Sequence, residues 1–421
     1  MFNGQIRVPG DKSITHRALI LAAMAEGTSE IIGPLRSDDC RSTIQCLRRL
    51  GVQIAELPNT TIVEGRGLRG FSAPEMPLDC GNSGTSMRLL AGVLASQPFV
   101  SVLTGDDSLS IRPMRRIVEP LKEMGALIKG RKQDQFAPLV IRGGNLTGIT
   151  YELQTASAQV KSALLLAGLS VQGETRLRGR IDSRDHTERM LAAFGADIAS
   201  TEDEIVLRPG QTLKAQTVQI PGDISSAAFF IAAAAAVSGS YLEVESVGLN
   251  PTRTGFIDVL QAMGADIDVI QEDDFAGEPI GRIIVRGSKL QGTTISGKII
   301  PRVIDELPIL AVAAAFAQGK TVISDAVELR VKETDRIKAL AEELGKIGVQ
   351  IEELPDGLII EGPTHFRAGQ IDSRGDHRLA MSFLLCASAA NAPLTVENTD
   401  CVSISYPGFE ETLQSLLEEV H

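Results

Sequence analysis

SSAAFFIAAAAAVSGSYLEV, Ser225–Val244, is a run of small apolar residues of helix length, followed by a Gly turn and a strand-like alternation. Closely similar pieces occur at Ile14 (ITHRALILAAMAEGTSEI), Thr85 (TSMRLLAGVLASQPFVSV) and Ala158 (AQVKSALLLAGLSVQGETRL), and again at Asp305 (DELPILAVAAAFAQGKTVI) and His377 (HRLAMSFLLCASAANAPLTV). The six starts are 67 to 80 residues apart. Self-similarity at a fixed period has to be read before anything else, because it sets the architecture. Each helix in these pieces is apolar almost all round, which requires burial on most of its faces.

A second piece lies between them in five copies: LRRLGVQI (Leu47–Ile54), LKEMGALI (Leu121–Ile128), LAAFGADI (Leu191–Ile198), LQAMGADI (Leu260–Ile267) and LGKIGVQI (Leu344–Ile351). Its Gly suits a helix C-terminus, where a left-handed residue closes the last turn, and the alternation that follows predicts a half-buried strand. These helices are amphipathic and are expected on the outside. Each unit therefore reads as βαβαββ, giving an α/β protein of six units in two pseudo-threefold lobes. Val8-Pro-Gly-Asp-Lys-Ser13 and Ile220-Pro-Gly-Asp-Ile-Ser225 are near-copies and mark the crossings near residues 10 and 221. One lobe is expected over 11–221 and the other over 1–10 plus 222–421.

The bulk numbers narrow the function classes. A chain of 421 residues is too long for one ordinary core. Its net charge of −12 argues against nucleic-acid binding, which depends on neutralising phosphates, yet leaves room for a locally basic cleft. The five cysteines (Cys40, Cys46, Cys80, Cys386, Cys401) form no CxxC pair, so no disulfide framework or zinc ribbon is expected. The N-terminus lacks a signal-peptide pattern. The longest uncharged apolar run, Ala227–Val237, falls short of the ~20 residues that span a bilayer. A cytoplasmic monomer acting on small molecules, with no membrane or nucleic-acid partner, is expected.

Polar residues collect where the apolar helices begin: Lys12-Ser13, Asn82-Ser83-Gly84-Thr85, Ser157 with Gln159, Asp223 with Ser225 and Ser226, Asp305, and Asp376-His377-Arg378. Capping accounts for Ser, Thr, Asn and Asp at such places. It does not account for Lys12, Arg17, Arg88 or Arg378, because a cation in the first turn opposes the helix dipole. Such a cation becomes favourable when an anion sits there. Ser110–Arg116 reads as a helix start with Pro113 at its first position. In Arg330–Arg336 the i, i+4 spacing places Lys332 and Arg336 on one helix face, Glu333 beside them. A carboxylate among cations and a phosphate ligand can shuttle protons. Gly10–Ser13 lacks the GxxxxGK spacing of a P-loop, and no His/Cys/carboxylate group suggests a metal. His16 and His186 read as surface or core histidines, Cys80 and Cys386 as packing residues.

Taken in order, PGDKSITHR (9–17), GNSGTSMR (81–88), IRPMRRIVEPL (111–121), SAQVKSALLLAG (157–168), SRDHTERML (183–191), PGDISSAAFF (221–230), DELP (305–308), RVKETDR (330–336) and GDHRLAM (375–381) resemble the 5-enolpyruvylshikimate-3-phosphate synthases. The resemblance covers essentially the whole chain. It implies the two-lobed enolpyruvyl-transferase fold, closing over its substrates, and transfer of the enolpyruvyl group of phosphoenolpyruvate to shikimate 3-phosphate with no cofactor or metal. By the same resemblance Lys12, Asp305 and Glu333 are catalytic: Asp305 the base for the 5-hydroxyl, Glu333 the acid, Lys12 touching both substrates. Shikimate 3-phosphate falls to Lys12, Ser13, Arg17, Ser157, Gln159, Ser183, Arg184, Asp305 and Lys332. Phosphoenolpyruvate falls to Lys12, Asn82, Gly84, Thr85, Arg112, Gln159, Arg336, His377 and Arg378.

Three departures point to the divergent second branch of that family. Ser-Arg-Asp-His stands where some members have a ring-stacking tyrosine, so Arg184 or His186 must substitute. Ser157-Ala158-Gln159 replaces a serine pair, and Ile404 replaces a lysine. Resistant members of this branch carry alanine at the position of Gly84; its retention predicts that glyphosate binds. The sister transferase acting on UDP-N-acetylglucosamine looks for Lys-Asn near the N-terminus and a loop cysteine, where this chain has Lys12-Ser13 and no cysteine from Gly105 to Arg116. A noncatalytic repeat scaffold explains the six units but not the charges at helix starts.

Overall fold

A helix with no polar side has to be covered on every side, and the computed structural model, which describes residues 1–418, shows how. The last three residues of the expected second lobe lie outside the described residues. Six inner helices, Lys12–Met24, Gly84–Ala95, Ala158–Gly168, Ile224–Ala236, Leu307–Phe316 and His377–Ala389, are buried along nearly their whole length. They belong to two compact units. The N-unit is Gly10–Ile220 with Asp274–Glu278; the C-unit is Met1–Pro9, Pro221–Asp273 and the chain from Pro279 onward. Within each unit the three inner helices pack on one another and share one hydrophobic core. Gly92 serves this packing, because a Cβ there would collide with the Ala163 carbonyl of the neighbouring inner helix.

Five units share one sheet pattern. The strand after an inner helix pairs in parallel with one neighbour and antiparallel with the next, as in Leu78–Asp79, Val100–Thr104, Phe136–Arg142 and Leu127–Gly130. A parallel pair needs a crossover, and in three of the five an inner helix supplies it. The glycines read as helix ends do adopt left-handed conformations, from φ +87° at Gly51 to +105° at Gly125. The crossings have a topological signature. Asn3–Ile6 precedes the first inner helix but pairs with Tyr241–Gly248, whereas Thr217–Gln219 precedes the fourth and pairs with Thr28–Ile32.

The sixth unit stops short of the expected βαβαββ. After Leu394–Glu397 come a 3₁₀ segment, Thr399–Ile404, and the helix Phe409–Glu418. No sixth LxxxG piece exists to build an outer helix and hairpin. Tyr406 and Phe409 instead pack on Phe230, with ring centroids 5.9 and 4.9 Å away, and Phe409 also meets Phe229.

One segment is strained. Lys132, Gln133 and Asp134 have φ of 46°, 56° and 67°, a conformation that costs roughly 1–2 kcal/mol per non-glycine residue. The turn braces the segment before the helix Arg115–Glu123: Met114 N donates to Gln135 O at 2.7 Å, and Arg115 Nη2 donates to Gln133 O at 3.0 Å. Gln133→Gly keeps that backbone contact and relieves the strain. The variant is expected to melt about 2–4 °C higher for each kcal/mol relieved, measured by calorimetry; an unchanged or lower Tm would show that the turn stores no strain.

Candidate functional site

In the N-unit, Asp11 caps the first inner helix by accepting from Ile14 N at 2.8 Å. Lys12 follows it and pairs with Asp39 at 3.3 Å, a partner the sequence did not flag. Arg17 is buried and spends its guanidinium on the protein. Its Nε donates to Thr187 Oγ1 (2.7 Å), Nη2 to Ser162 Oγ (2.8 Å) and Nη1 to Ser13 O (2.9 Å). Burial lowers its pKa to about 10, opposed first by Glu188 and then by Asp11.

Around the second inner helix the polar residues converge. Ser83 is the cap, accepting from Ser86 N at 3.1 Å. Arg112 Nη2 donates to Asn82 Oδ1 at 2.6 Å and Nη1 to Asn82 O at 3.3 Å. Gln159 Nε2 donates to Thr85 Oγ1 at 3.1 Å, and Arg88 Nη1 donates to Gln159 Oε1. A methyl group on Gly84 would lie 2.9 Å from Arg88 Nη1 and 3.7 Å from Arg112 Nη1. Asn82, Gly84, Thr85, Arg112 and Gln159 are thus brought together, with Arg88 as an added member. The expected helix start at Pro113 is not what forms. Arg112 is extended (φ −76°, ψ 141°), as the residue before a proline is expected to be, and the helix begins at Arg115 after Met114 at its cap position.

Ser157 caps the third inner helix, accepting from Val160 N at 3.4 Å. Ser183 is 7% exposed, and its Oγ has no hydrogen-bond partner among the described residues. An orphaned buried hydroxyl is costly unless something else satisfies it. Arg184 beside it is half-buried. His186 is buried, its Nδ1 2.7 Å from Glu278 Oε1, and is therefore a core histidine and no stacking surface. His16 is also a core residue. Its Nδ1 lies 2.8 Å from Thr43 Oγ1, and burial lowers its pKa to about 3, which keeps it neutral.

In the C-unit three cations surround Asp305. Lys332 Nζ and Arg336 Nη1 each lie 3.8 Å from its Oδ1, and Arg378 Nη2 lies 3.6 Å from its Oδ2. Arg378 Nη1 also donates to the Asp305 carbonyl at 3.0 Å. Lys332 and Arg336 do not share a helix face as expected. Lys332 is extended and the helix starts at Arg336, because Asp335 takes the cap and accepts from Lys338 N at 3.1 Å. They meet at Asp305 nonetheless.

Arg336, 1% exposed, donates to Asp376 Oδ2 at 2.8 Å and to Glu333 Oε2 at 2.7 Å. Burial alone would lower its pKa, but Asp376 and then Glu333 reverse this and raise it. Asp376 caps the sixth inner helix, accepting from Arg378 N at 2.9 Å. Burial pushes its carboxyl up; Arg336 overrides that and holds it below the usual range. His377 is buried beside it. The arrangement suits a ligand with several negative charges, because helix N-termini and guanidinium forks both bind carboxylate and phosphate. It also places Glu333 and Asp305 where a proton could be given or taken.

The sequence reading missed Asp39, Lys161 and Glu188. The lysine had a signal that could have found it: a charge in the middle of an otherwise apolar helix needs a buried partner.

Comparisons with known proteins bear on the family and the fold. The family model described as EPSP synthase (3-phosphoshikimate 1-carboxyvinyltransferase) matches residues 1–413. A 3-phosphoshikimate 1-carboxyvinyltransferase from Alkaliphilus metalliredigens is 52% identical over 415 residues, covering 98% of this chain and 97% of the relative. One from Bacillus cytotoxicus is 50% identical over 416 residues, covering 98% of each. Among solved structures, an EPSP synthase from Acinetobacter baumannii superposes with a TM-score of 0.89 at 45% identity, over 99% of this chain and 96% of that one. The enolpyruvyl transferase NikO from Streptomyces tendae, at 20% identity and a TM-score of 0.79 over 99% and 95% of the two chains, shares the fold.

The Arg336–Asp376 pair makes a stability prediction. A carboxyl with a lowered folded pKa stabilises above its unfolded pKa of about 3.9 and loses that contribution as pH falls through the folded value. Asp376→Asn keeps a capping side chain but leaves Arg336 short of charge, a loss of roughly 3–5 kcal/mol at pH 7. Urea unfolding at pH 7 and pH 3 should show the gap between wild type and variant narrowing at the lower pH. A gap that stays constant would rule out the charge pair as its source.

Proposed function

The chain belongs to the EPSP synthase family, and from that premise we propose how its residues divide the reaction. As a 3-phosphoshikimate 1-carboxyvinyltransferase it transfers the enolpyruvyl group of phosphoenolpyruvate to the 5-hydroxyl of shikimate 3-phosphate and releases phosphate, on the route to chorismate and the aromatic amino acids. The N-unit holds shikimate 3-phosphate through Ser13, Ser157, Gln159, Ser183 and Arg184, with Lys12 reaching both substrates. The orphaned Ser183 hydroxyl supports this, since a phosphate oxygen would satisfy it. Arg17 works from behind, holding the Ser13 carbonyl. Lys332 is assigned to shikimate 3-phosphate as well.

Phosphoenolpyruvate falls to Lys12, Asn82, Gly84, Thr85, Arg112 and Gln159, and also to Arg336, His377 and Arg378. Forked guanidinium groups match its carboxylate and phosphate. Glu333 protonates the methylene carbon, which builds positive charge at the neighbouring carbon. Asp305 takes the 5-hydroxyl proton, and the oxygen attacks that carbon to give a tetrahedral intermediate. Loss of phosphate and of a methyl proton then restores the enol ether. The observation that carries the assignment is Asp305 with three cations within 4.0 Å, Glu333 on one of them. Action in the cytoplasm as a monomer is part of the same proposal. Its five free cysteines agree with a reducing compartment, and no helix among the described residues is long and apolar enough to cross a membrane.

A coupled phosphate-release assay tests the reading. Phosphate should appear with shikimate 3-phosphate plus phosphoenolpyruvate and not with UDP-N-acetylglucosamine. Asp305→Ala and Glu333→Gln should each lower kcat by about 10²–10⁴-fold. Turnover of the nucleotide sugar, or an unchanged kcat in either variant, overturns it. Glyphosate should compete with phosphoenolpyruvate. Gly84→Ala, whose methyl presses on Arg88, should weaken both ligands, read as a higher KM and a higher inhibition constant. Wild type that shows no competition at millimolar glyphosate refutes this second point.

A further inference from the structure

Lys161 lies within the third inner helix and is 1% exposed. An ammonium group has three donors, and three acceptors surround this one. Its Nζ donates to the carbonyls of Ile181 and Ser183, each at 3.1 Å, and forms an ion pair with Glu188 Oε1 at 2.6 Å. Burying such a pair is not a route to stability, since an apolar pair of similar volume would do as well or better. Its geometry points to another role.

The two carbonyls belong to the turn that carries Ser183 and Arg184 into the helix His186–Ala193. That helix has no side-chain cap from Asp185, and the turn's own backbone bonds reach back only two residues, from Ile181 N to Gly179 O and from Ser183 N to Ile181 O. Arg180 N is tied to Leu153 O at 2.9 Å at the start of the turn, and Lys161 supplies a second long-range anchor, at the Ile181 and Ser183 carbonyls. The Ser183 carbonyl and the Arg184 N–H share one rigid peptide plane. Pinning that carbonyl fixes where the plane lies, and with it the orphaned Ser183 hydroxyl on one side and the start of the Arg184 side chain on the other. Glu188 keeps the ammonium in place and also acts on the neighbouring Arg17.

We propose that Lys161, backed by Glu188, is a positioning residue for shikimate 3-phosphate, holding the Ser183–Arg184 peptide in its binding orientation. The inference rests on the assignment of Ser183 and Arg184 to that substrate.

The test uses Lys161→Met and the double variant Lys161→Met/Glu188→Leu in the full chain, with Tm, kcat and both KM values measured, and shikimate 3-phosphate binding followed by calorimetry. The single variant leaves Glu188 buried without its cation and should lose Tm. The double variant removes both charges and should regain most of it. If the pair positions the turn, KM for shikimate 3-phosphate stays raised by about 10–100-fold in the double variant, the scale expected of a small misplacement. KM for phosphoenolpyruvate and the saturated kcat stay near wild type. A double variant whose KM for shikimate 3-phosphate returns to wild type overturns the inference, as does a parallel rise in both KM values. Should the single variant fail to fold, the double variant alone decides between these outcomes. Wild type that neither binds nor turns over shikimate 3-phosphate would sink the reading of the site, and this inference with it. Wild type that binds, beside a double variant with normal KM, sinks the inference alone.

Discussion

Six helices without a polar face can be buried along their length only if the unsatisfied N–H groups at their starts find acceptors, and most of the site follows from that requirement. Asp11, Ser83, Ser157, Asp223 and Asp376 each accept from a backbone N–H in the first turn. The carboxylates of Asp11, Asp223 and Asp376 offset part of the positive end of their helix dipoles, and the serine hydroxyls do so less. Lys12 and Arg378 then add cations where the dipole already repels them, an arrangement that becomes favourable once an anionic ligand is bound. Until then, Asp39 and Asp305 lie beside those cations.

The same requirement explains how much of the molecule could be read from its sequence. The inner helices were legible because apolarity on all faces has one structural meaning, and the outer helix ends because each LxxxG piece places a glycine where φ is positive. What failed was where two of the shorter helices begin. Pro113 looked like a helix start, but Arg112 before it is extended and the helix begins at Arg115. The run from Arg330 to Arg336 looked like one helical face, but Asp335 took the cap and split it. The short sixth unit was foreshadowed by the missing LxxxG copy; the aromatic packing of Tyr406 and Phe409 on Phe230 was not.

The candidate residues divide in the same way. Those at helix starts were found because polar groups beside apolar runs stand out. Lys161 and Glu188 were missed because each makes sense only with the other, and they lie on different helices. Arg17 stood out as those at helix starts did, and each of its guanidinium nitrogens donates within the protein, to Thr187, Ser162 and Ser13.

The two units treat their cations differently, and the difference bears on mechanism. Around the second inner helix of the N-unit, Arg88 and Arg112 are held by amide and hydroxyl oxygens and backbone carbonyls, from Gln159, Asn82, Ser108 and Pro113. Neutral acceptors such as these orient a guanidinium fork toward an incoming carboxylate or phosphate. In the C-unit, Arg336 and Arg378 lie among Asp305, Glu306, Glu333 and Asp376. Carboxylates so placed weaken net anion attraction, yet they are the groups that can carry protons. Binding multiply charged anions calls for oriented guanidinium groups, and moving protons calls for carboxylates. A single fully neutralised cluster could not attract the anions, and one with no carboxylate could not move the protons.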